Sequence, residues 1–231
     1  GIPVGYTPDV LNDCVADTAF SLVINVARRF PACDQFTRRG DWLKGAFPLT
    51  TKVSGKRMGI LGLGRIGQTI ARRASGFDMA IRYHNRKPRN DVPYDYEPSL
   101  KALAEWCDFL VIASAGGAET KHLVSREILE AVGPKGFVVN ISRGSVIDED
   151  AMIDALEHGR LGGAGLDVYT HEPNVPERLL KLDNVVLLPH LASATHETRQ
   201  AMADLVMDNL RSFFSTGHVK VAVPPQETSC H

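Results

Sequence analysis

The chain has 231 residues, 44% of them hydrophobic, and its 26 Lys and Arg residues nearly balance 27 Asp and Glu residues. This length and apolar content predict one large α/β domain or two small ones, and they argue against disorder. The near-neutral charge argues against binding to nucleic acid or to an anionic membrane through a general electrostatic field. An anionic ligand must therefore be met by local cations.

The cysteines and the chain start suggest a compartment. Four widely spaced cysteines form no Cys-x-x-Cys pair. This spacing predicts free or buried thiols in a reducing cytosol, without a metal site or a disulfide framework. No apolar run approaches the ~20 residues that span a bilayer, and the start Gly1-Ile2-Pro3-Val4 lacks the basic region of a signal peptide. We expect a cytoplasmic protein.

Apolar periodicity predicts an alternation of helices and strands. The first element is one long helix that begins at Thr7-Pro8-Asp9 and runs to about Arg28. The later elements are strand 56–61, helix 65–75, strand 79–84, helix 99–106, strand 109–113, helix 125–132, strand 137–141, helix 148–158, strand 163–168, strand 185–188 and helix 195–214. The pattern predicts an α/β fold with a Rossmann-type, doubly wound parallel sheet, whose ligands bind at the carboxyl ends of the strands.

A glycine motif follows the first predicted strand. The segment Gly62-Leu63-Gly64-Arg65-Ile66-Gly67 has the form G-x-G-x-x-G and opens a helix. In such a turn the first glycine permits the tight bend, the second lets the backbone approach a pyrophosphate, and the third lets helix and strand pack closely. The alternative, a ligand-free glycine turn, is disfavoured by the strand-turn-helix context. The motif predicts a dinucleotide site.

The end of the second predicted strand indicates which dinucleotide is bound. An NAD site usually ends this strand in Asp or Glu, which holds the ribose 2′-hydroxyl. Here the chain continues as Asn85-Arg86-Lys87. No carboxylate is present to repel a 2′-phosphate, and the two cations can pair with one. We therefore predict NADP(H) rather than NAD(H), with a solvated basic loop as the alternative.

Three later segments each follow a predicted strand and end in a loop: residues 140–144, 165–173 and 188–195. Together with the glycine motif, they resemble the D-2-hydroxyacid dehydrogenase family and, within it, the NADPH-dependent glyoxylate/hydroxypyruvate reductase branch. The resemblance covers nearly the whole chain, with the motifs in the family's order. It implies reduction of a small 2-keto acid by hydride transfer.

Carried over to matching positions, the resemblance implies three catalytic residues. Arg143 would bind the substrate carboxylate and keto oxygen, because a guanidinium offers a planar fork for such groups. His190 would donate the proton to the reduced oxygen. Glu172 would pair with His190 and orient its ring. His171 is excluded by its spacing, and a capping or surface role is the alternative for any one of these side chains taken alone.

The resemblance also implies cofactor contacts beyond the glycine motif. Asp167 would orient the nicotinamide carboxamide, and Ser193 would contact the same ring. The full predicted set is Gly62, Leu63, Gly64, Arg65, Ile66, Gly67, Asn85, Arg86, Lys87, Ala113, Ser114, Ala115, Thr120, Ile141, Ser142, Arg143, Asp167, His190, Ala192 and Ser193. Two departures stand out: Ala192 replaces a common Gly, and the loop 114–120 has Ala and Gly where the family has Pro and Thr.

The resemblance further implies a domain division and a homodimer. Residues 7–193 would form the NADP-binding domain, whereas 1–6 and 194–231 would belong to a flavodoxin-like substrate domain. The N-terminal part of that domain would lie upstream of Gly1, so we expect the chain to be a fragment. The segment 39–42 resembles the family's dimerisation arm, and Trp42 either faces a partner or packs on its own domain.

Two other functions remain open from the sequence. One is a reductase of a bulkier 2-keto acid such as an aryl-pyruvate. The other is a catalytically silent, dimeric NAD(P)-sensing interaction module, like the corepressors of this fold. The joint presence of Arg143, Glu172 and His190 favours the enzyme, because a sensing module would not need all three.

Overall fold

The computed structural model describes residues 2–223. Its helices are α1 (Asn12–Arg28), α2 (Phe30–Arg38), α3 (Arg65–Ser75), α4 (Leu100–Trp106), α5 (Arg126–Val132), α6 (Glu149–Glu157), α7 (Glu177–Leu180) and α8 (His196–Thr216). Its strands are β1 (Arg57–Leu61), β2 (Ala80–His84), β3 (Asp95–Tyr96), β4 (Phe109–Ile112), β5 (Phe137–Asn140), β6 (Gly163–Leu166) and β7 (Val185–Leu187). Short 3-10 helices lie at Asp41–Leu43, Ala118–Thr120 and Gly144–Val146.

The strands form one parallel sheet in the order β3-β2-β1-β4-β5-β6-β7. In its centre Ile60 of β1 is in register with Tyr83 of β2 and with Val111 of β4. The residues of β4, β5 and β6 are buried throughout, because helices cover both faces of a doubly wound sheet. The predicted Rossmann-type α/β fold is confirmed.

Two apolar clusters, one on each face, hold the helices to the sheet. One cluster includes Leu22 of α1 and Ile70 of α3, and the other includes Leu103 of α4 and Leu129 of α5. Each of these four side chains is almost completely buried, and such burial contributes roughly 1.5–3 kcal/mol per side chain. Since α3 follows β1 and α5 follows β4, the chain leaves these two neighbouring strands toward opposite faces.

The first predicted helix starts too early, whereas its predicted end near Arg28 is confirmed. It begins at Asn12 rather than Thr7, after Asp9 adopts a left-handed backbone with φ 70°. It ends at Arg29, which is also left-handed, and a second helix, α2, starts at once with Pro31 in its first turn. No element was predicted between Arg28 and the strand 56–61, so α2 was missed, although proline is well suited to the first turn of a helix. The very short β3 and α7 were also missed.

The described part of the segment before α1 pairs with the end of the described chain through one isolated antiparallel bridge, between Gly5 and Ala222. The buried Asn209 of α8 reinforces this pairing. Its Nδ2 donates to the carbonyl oxygen of Tyr6 at 3.3 Å, and its Oδ1 accepts from the backbone N–H of Val221 at 2.7 Å. The first and last described segments are thus held together on α8. The domain boundaries at residues 7 and 193 stay a prediction.

Some sequence predictions concern residues at the chain ends or on the surface. Gly1 and residues 224–231, with Cys230, lie outside the described range. Within that range, Cys14, Cys33 and Cys107 are free thiols, and burial raises the pKa of Cys107 to about 12. Residues 2–223 include no helix that is long and apolar enough to cross a membrane, and no group of three His, Cys, Asp or Glu side chains that could hold a metal ion.

Candidate functional site

All of the motifs singled out in the sequence lie at the carboxyl edge of the sheet. The glycine motif follows β1, the basic segment follows β2, and the loop 113–120 follows β4. The remaining candidate residues lie in the loops that follow β5, β6 and β7. Because the chain leaves β1 and β4 toward opposite faces, a crevice opens between their loops, where open α/β sheets bind ligands.

The glycine loop is shaped to receive a phosphate group. Gly62 has φ 98°, and a Cβ there would lie 2.5 Å from the backbone nitrogen of Ser114. A Cβ on Gly67 would overlap the carbonyl oxygen of Gly62, whereas one on Gly64 would have nothing within 4 Å. The turn is therefore closed on its protein side and open at Gly64, and the free N–H groups at the start of α3 favour an anion. These residues fit a dinucleotide.

The other residues of the motif point in different directions. Leu63 is fully buried and Ile66 packs, partly buried, on the same apolar cluster. Arg65 instead reaches outward, with its Nε 3.2 Å from Asp9 Oδ1 in the segment before α1. The two apolar side chains therefore anchor the loop. Of the three side chains, only that of Arg65 is exposed and could reach a ligand.

At the end of β2, the side chain of Asn85 binds the glycine loop. Its Oδ1 accepts a hydrogen bond from the backbone N–H of Leu63 at 2.7 Å. Arg86 and Lys87 are exposed, and Arg86 Nη1 pairs with Glu119 Oε2 across the crevice at 2.6 Å. Sequence reasoning missed Glu119, because its partner lies 33 residues away on another loop.

The loop after β4 forms the opposite wall. Thr120 Oγ1 donates to the carbonyl oxygen of Ala115 at 2.9 Å, so this hydroxyl holds the loop's own turn. Ser114 Oγ is buried and has no hydrogen-bond partner among residues 2–223. Gly116 lies against Arg143, because a Cβ there would be 2.5 Å from Arg143 Cγ. The absence of a side chain at Gly116 therefore makes room for the stem of Arg143.

The turn after β5 carries Arg143. The buried side chain of Asn140 accepts hydrogen bonds from the backbone N–H and the hydroxyl of Ser142, both at 3.0 Å. Its Nδ2 donates to the carbonyl oxygen of Arg143, also at 3.0 Å. Ile141, between them, is buried. Asn140 therefore sets the backbone from which the guanidinium projects, and its position as the polar last residue of a buried strand is the signal that could have identified it.

Glu172 and His190 form a direct pair. His190 Nδ1 lies 2.7 Å from Glu172 Oε2, while Glu172 Oε1 accepts from the backbone N–H of Tyr169 at 3.0 Å. Burial alone would raise the pKa of Glu172, but the hydrogen bonds from His190 and Tyr169, with the charges of His190 and Arg143, hold it below its usual value. Glu172 is thus a carboxylate near neutral pH, and Nε2 of His190 remains available to a ligand.

Asp167 fixes the loop that carries His190. The carboxylate is 1% exposed, and it accepts the backbone N–H groups of Leu191 at 2.8 Å and of Ala192 at 3.0 Å. His190 itself has φ 52°, a left-handed conformation that non-glycine residues rarely adopt. Such a conformation persists only where its surroundings impose it. Ser193, two residues beyond Leu191, is half-buried beside this clamp.

Gly144 brings Arg143 close to the Glu172 loop, which leads to a testable prediction. A Cβ at Gly144 would overlap the backbone of Tyr169 and Thr170. We expect Gly144→Ala to lower the free energy of unfolding by about 1–3 kcal/mol, measured by urea titration. Gly45→Ala is the control, since a Cβ there meets nothing within 4 Å, and its effect should stay within about 0.5 kcal/mol. Equal stability of the two variants would contradict the close approach.

Residues 20–192 match the family model of the D-isomer specific 2-hydroxyacid dehydrogenase, NAD binding domain. The chain belongs to this family. It is therefore an oxidoreductase of the 2-hydroxyacid type that carries the family's dinucleotide-binding domain. The sensing module that the sequence left open is not favoured, because the similar proteins described below are reductases.

Among relatives of this dehydrogenase domain, hydroxyphenylpyruvate reductase from Plectranthus scutellarioides is 53% identical over 215 residues, which are 93% of this chain and 69% of that protein. Glyoxylate/hydroxypyruvate reductase A from Arabidopsis thaliana is 52% identical with the same coverage. A crystal structure of NADPH-dependent glyoxylate/hydroxypyruvate reductase from Sinorhizobium meliloti, in complex with NADP and malonate, superposes with a TM-score of 0.92 at 49% identity. It covers 96% of this chain and 70% of that one. The assignment to the glyoxylate/hydroxypyruvate reductase branch is confirmed.

Proposed function

We propose that this chain binds NADPH and reduces a small 2-keto acid of the glyoxylate or hydroxypyruvate type to the D-2-hydroxy acid. One observation carries the proposal: the hydrogen-bonded pair of Glu172 and His190 lies at the same edge of the sheet as the glycine loop, with Arg143 close enough to lower the pKa of Glu172. A proton donor, a carboxylate-binding cation and a dinucleotide site are the three parts that such a reduction needs.

The proposed roles follow from the chemistry of each side chain. Arg143 binds the substrate carboxylate and polarises the neighbouring carbonyl, because a guanidinium stays charged and can form two parallel hydrogen bonds. The bound dihydronicotinamide supplies the hydride that reaches the carbonyl carbon. His190 then donates its Nε2 proton to the oxygen and becomes neutral, while Glu172 stabilises the charged ring before transfer and fixes its orientation.

The preference for NADPH is supported by the end of β2. Asn85 stands where a carboxylate would hold the 2′-hydroxyl of NADH, and its side chain is bound to Leu63 instead. Arg86 and Lys87 follow it as exposed cations. The similar Sinorhizobium enzyme is NADPH-dependent and was crystallised with NADP.

Calorimetric titration with NADPH and NADH tests the cofactor preference. We expect NADPH to bind roughly 10- to 100-fold more tightly, the contribution of hydrogen bonds to a charged phosphate, and Arg86→Asp to reverse the order. Arg211→Asp, an equally large charge change on the exposed surface of α8, should leave both affinities unchanged. Equal or tighter NADH binding by the wild-type chain would rule out the NADPH preference.

A second candidate substrate is an aryl-pyruvate. It is favoured by the 53% identity to the Plectranthus hydroxyphenylpyruvate reductase. Glyoxylate, hydroxypyruvate and 4-hydroxyphenylpyruvate, compared by kcat/KM under the same conditions, separate the two substrate classes.

We also propose that the protein forms a homodimer through the segment around Trp42. The Trp42 side chain is 71% exposed, so it does not pack on its own domain, and Leu43 and Leu49 nearby are almost fully exposed. Large apolar side chains grouped at a surface are typical of interfaces.

A further inference from the structure

Two loops face each other at the adenosine end of the crevice, and both carry charge. The loop after β2 contains Arg86, Lys87 and Arg89, while the loop after β4 contains Glu119. The sequence pattern singled out Arg86 and Lys87 as cofactor ligands. In the structure, the surroundings of the three cations differ, and they favour Arg86 and Arg89 as the pair.

Arg89 is anchored on the glycine loop. Its Nη1 donates to the carbonyl oxygen of Leu63 at 3.3 Å, while its Nε and Nη2 bind the two carboxylate oxygens of Asp91 at 2.9 and 2.5 Å. One hydrogen on each of Nη1 and Nη2 remains for a phosphate, because a guanidinium has five N–H groups. Its backbone N–H also donates to the hydroxyl of the fully buried Tyr83 at 2.8 Å. Lys87, by contrast, is exposed and forms no ion pair within residues 2–223. Of the two, only Arg89 has a set position.

The contact with Leu63 places Arg89 at the loop where the ribose of a dinucleotide would bind. The peptide groups of this residue bind two side chains from the β2 loop: its N–H donates to Asn85, and its carbonyl oxygen accepts from Arg89. Asn85 stands at the position from which nucleotide-binding sheets contact the ribose 2′ position. A guanidinium bound to the same residue therefore lies within reach of a 2′-phosphate.

Arg86 has a competing partner. Its pairing with Glu119 joins the two loops at 2.6 Å, but both side chains are largely exposed, at 86% and 78%. Ion pairs this exposed are weak, so a phosphate that offers several acceptor oxygens can displace the carboxylate. The displaced Glu119 remains close to the phosphate, and the repulsion between the two anions weakens binding.

We propose that the ribose 2′-phosphate is held by Arg86 and Arg89 together, and that Glu119 competes with it for Arg86. Glu119 is then a specificity-determining residue, because its charge weakens the binding of NADPH and leaves that of NADH unchanged. The proposal rests on the NADPH preference proposed above and identifies the side chains that determine how strong this preference is. Lys87 contributes only general positive charge.

Glu119→Gln tests the competition, since it keeps the shape of the side chain and removes the charge. Calorimetry at low ionic strength should give a Kd for NADPH that is roughly two- to tenfold lower, with the Kd for NADH within twofold of wild type. The gain should shrink at high salt, because exposed charges are screened. An unchanged Kd for NADPH, or equal tightening of both cofactors, would overturn the role of Glu119.

Arg89→Gln tests the second arm of the clamp, with Lys87→Gln as the matched control in the same loop. We expect Arg89→Gln to raise the Kd for NADPH by about tenfold or more and Lys87→Gln to raise it by less than threefold. The Kd for NADH should not change in either variant, which shows that the glycine loop has kept its shape. Equal losses for both cofactors, or equal effects of the two substitutions on NADPH, would refute the assignment of Arg89.

The same titrations separate this inference from the proposed function. A wild-type chain that prefers NADH removes the NADPH preference and the clamp with it. A wild-type chain that prefers NADPH, combined with variants of Glu119 and Arg89 that bind both cofactors like wild type, leaves the NADPH preference intact and overturns the clamp alone.

Discussion

His190→Gln is expected to lower kcat for 2-keto acid reduction by about 10²- to 10⁴-fold, the usual contribution of a positioned general acid. Glutamine can still donate a hydrogen bond to the substrate oxygen, but it cannot transfer a proton to it. The paired carboxylate of Glu172 is held ionised by its hydrogen bonds and by nearby positive charge. In wild type it therefore stabilises the protonated ring, and in the variant it has no such ring to stabilise.

Oxidation of NADPH in the presence of glyoxylate or hydroxypyruvate measures this effect on kcat. The Kd for NADPH, determined separately by calorimetry, should change less than about threefold, because most of the predicted cofactor contacts lie in other loops. His171→Gln is the matched control, since this exposed imidazole lies next to Glu172 in sequence and forms no side-chain hydrogen bond within the described residues. A kcat for His190→Gln within threefold of wild type would exclude His190 as the proton donor.

Arg143→Gln is expected to lower kcat/KM for the keto acid by roughly 10²- to 10³-fold, comparable with the loss of one donor from an oxyanion-binding site. The guanidinium is proposed to bind the carboxylate and to stabilise the charge that develops on the carbonyl oxygen, so both KM and kcat should change. Its stem packs against Gly116 and its backbone is fixed by Asn140. Its Nη1 also donates to the carbonyl oxygen of Ser142 at 2.6 Å. The substitution removes this bond but leaves the three hydrogen bonds of Asn140 that set the turn.

Arg143→Lys separates charge from geometry. Lysine restores the charge but not the planar fork, so only part of the lost kcat/KM should return. Arg178→Gln serves as the control, because Arg178 is an exposed arginine that pairs with Glu157 on the helical surface. If Arg143→Gln and Arg178→Gln had the same small effect on kcat/KM, Arg143 could not be the carboxylate ligand.

The fold and the family could be predicted largely from the sequence, because their signals are local. The G-x-G-x-x-G motif and the runs of buried strand residues depend on neighbours within one turn or one strand. Elements without such a local signal were missed or misplaced. The helix α2 was missed because a proline such as Pro31 is found after the end of a helix as well as in the first turn of one. The strand β3 is too short to show a period.

The candidate site was predicted only in part, because its loop motifs are local signals whereas the contacts between loops are not. Arg143, Glu172 and His190 were identified from a resemblance between loops, and the pairing of Glu172 with His190 at 2.7 Å agrees with what it implied. Nothing in the loop sequences indicated that Asp167 binds the backbone of the His190 loop, or that Gly116 makes room for Arg143. These contacts join segments that follow different strands.

What the sequence alone determined is the content of each loop: its glycines, its charges and the strand it follows. The tertiary structure decided which loops meet. Because the strand order places β2 and β4 on either side of β1, Glu119 after β4 faces Arg86 after β2, although 33 positions separate them in sequence. Because β6 lies beside β7, Asp167 and Glu172 can hold the loop that carries His190. Distances between such loops depend on long-range strand pairing, which produces no periodic pattern in the sequence of either loop.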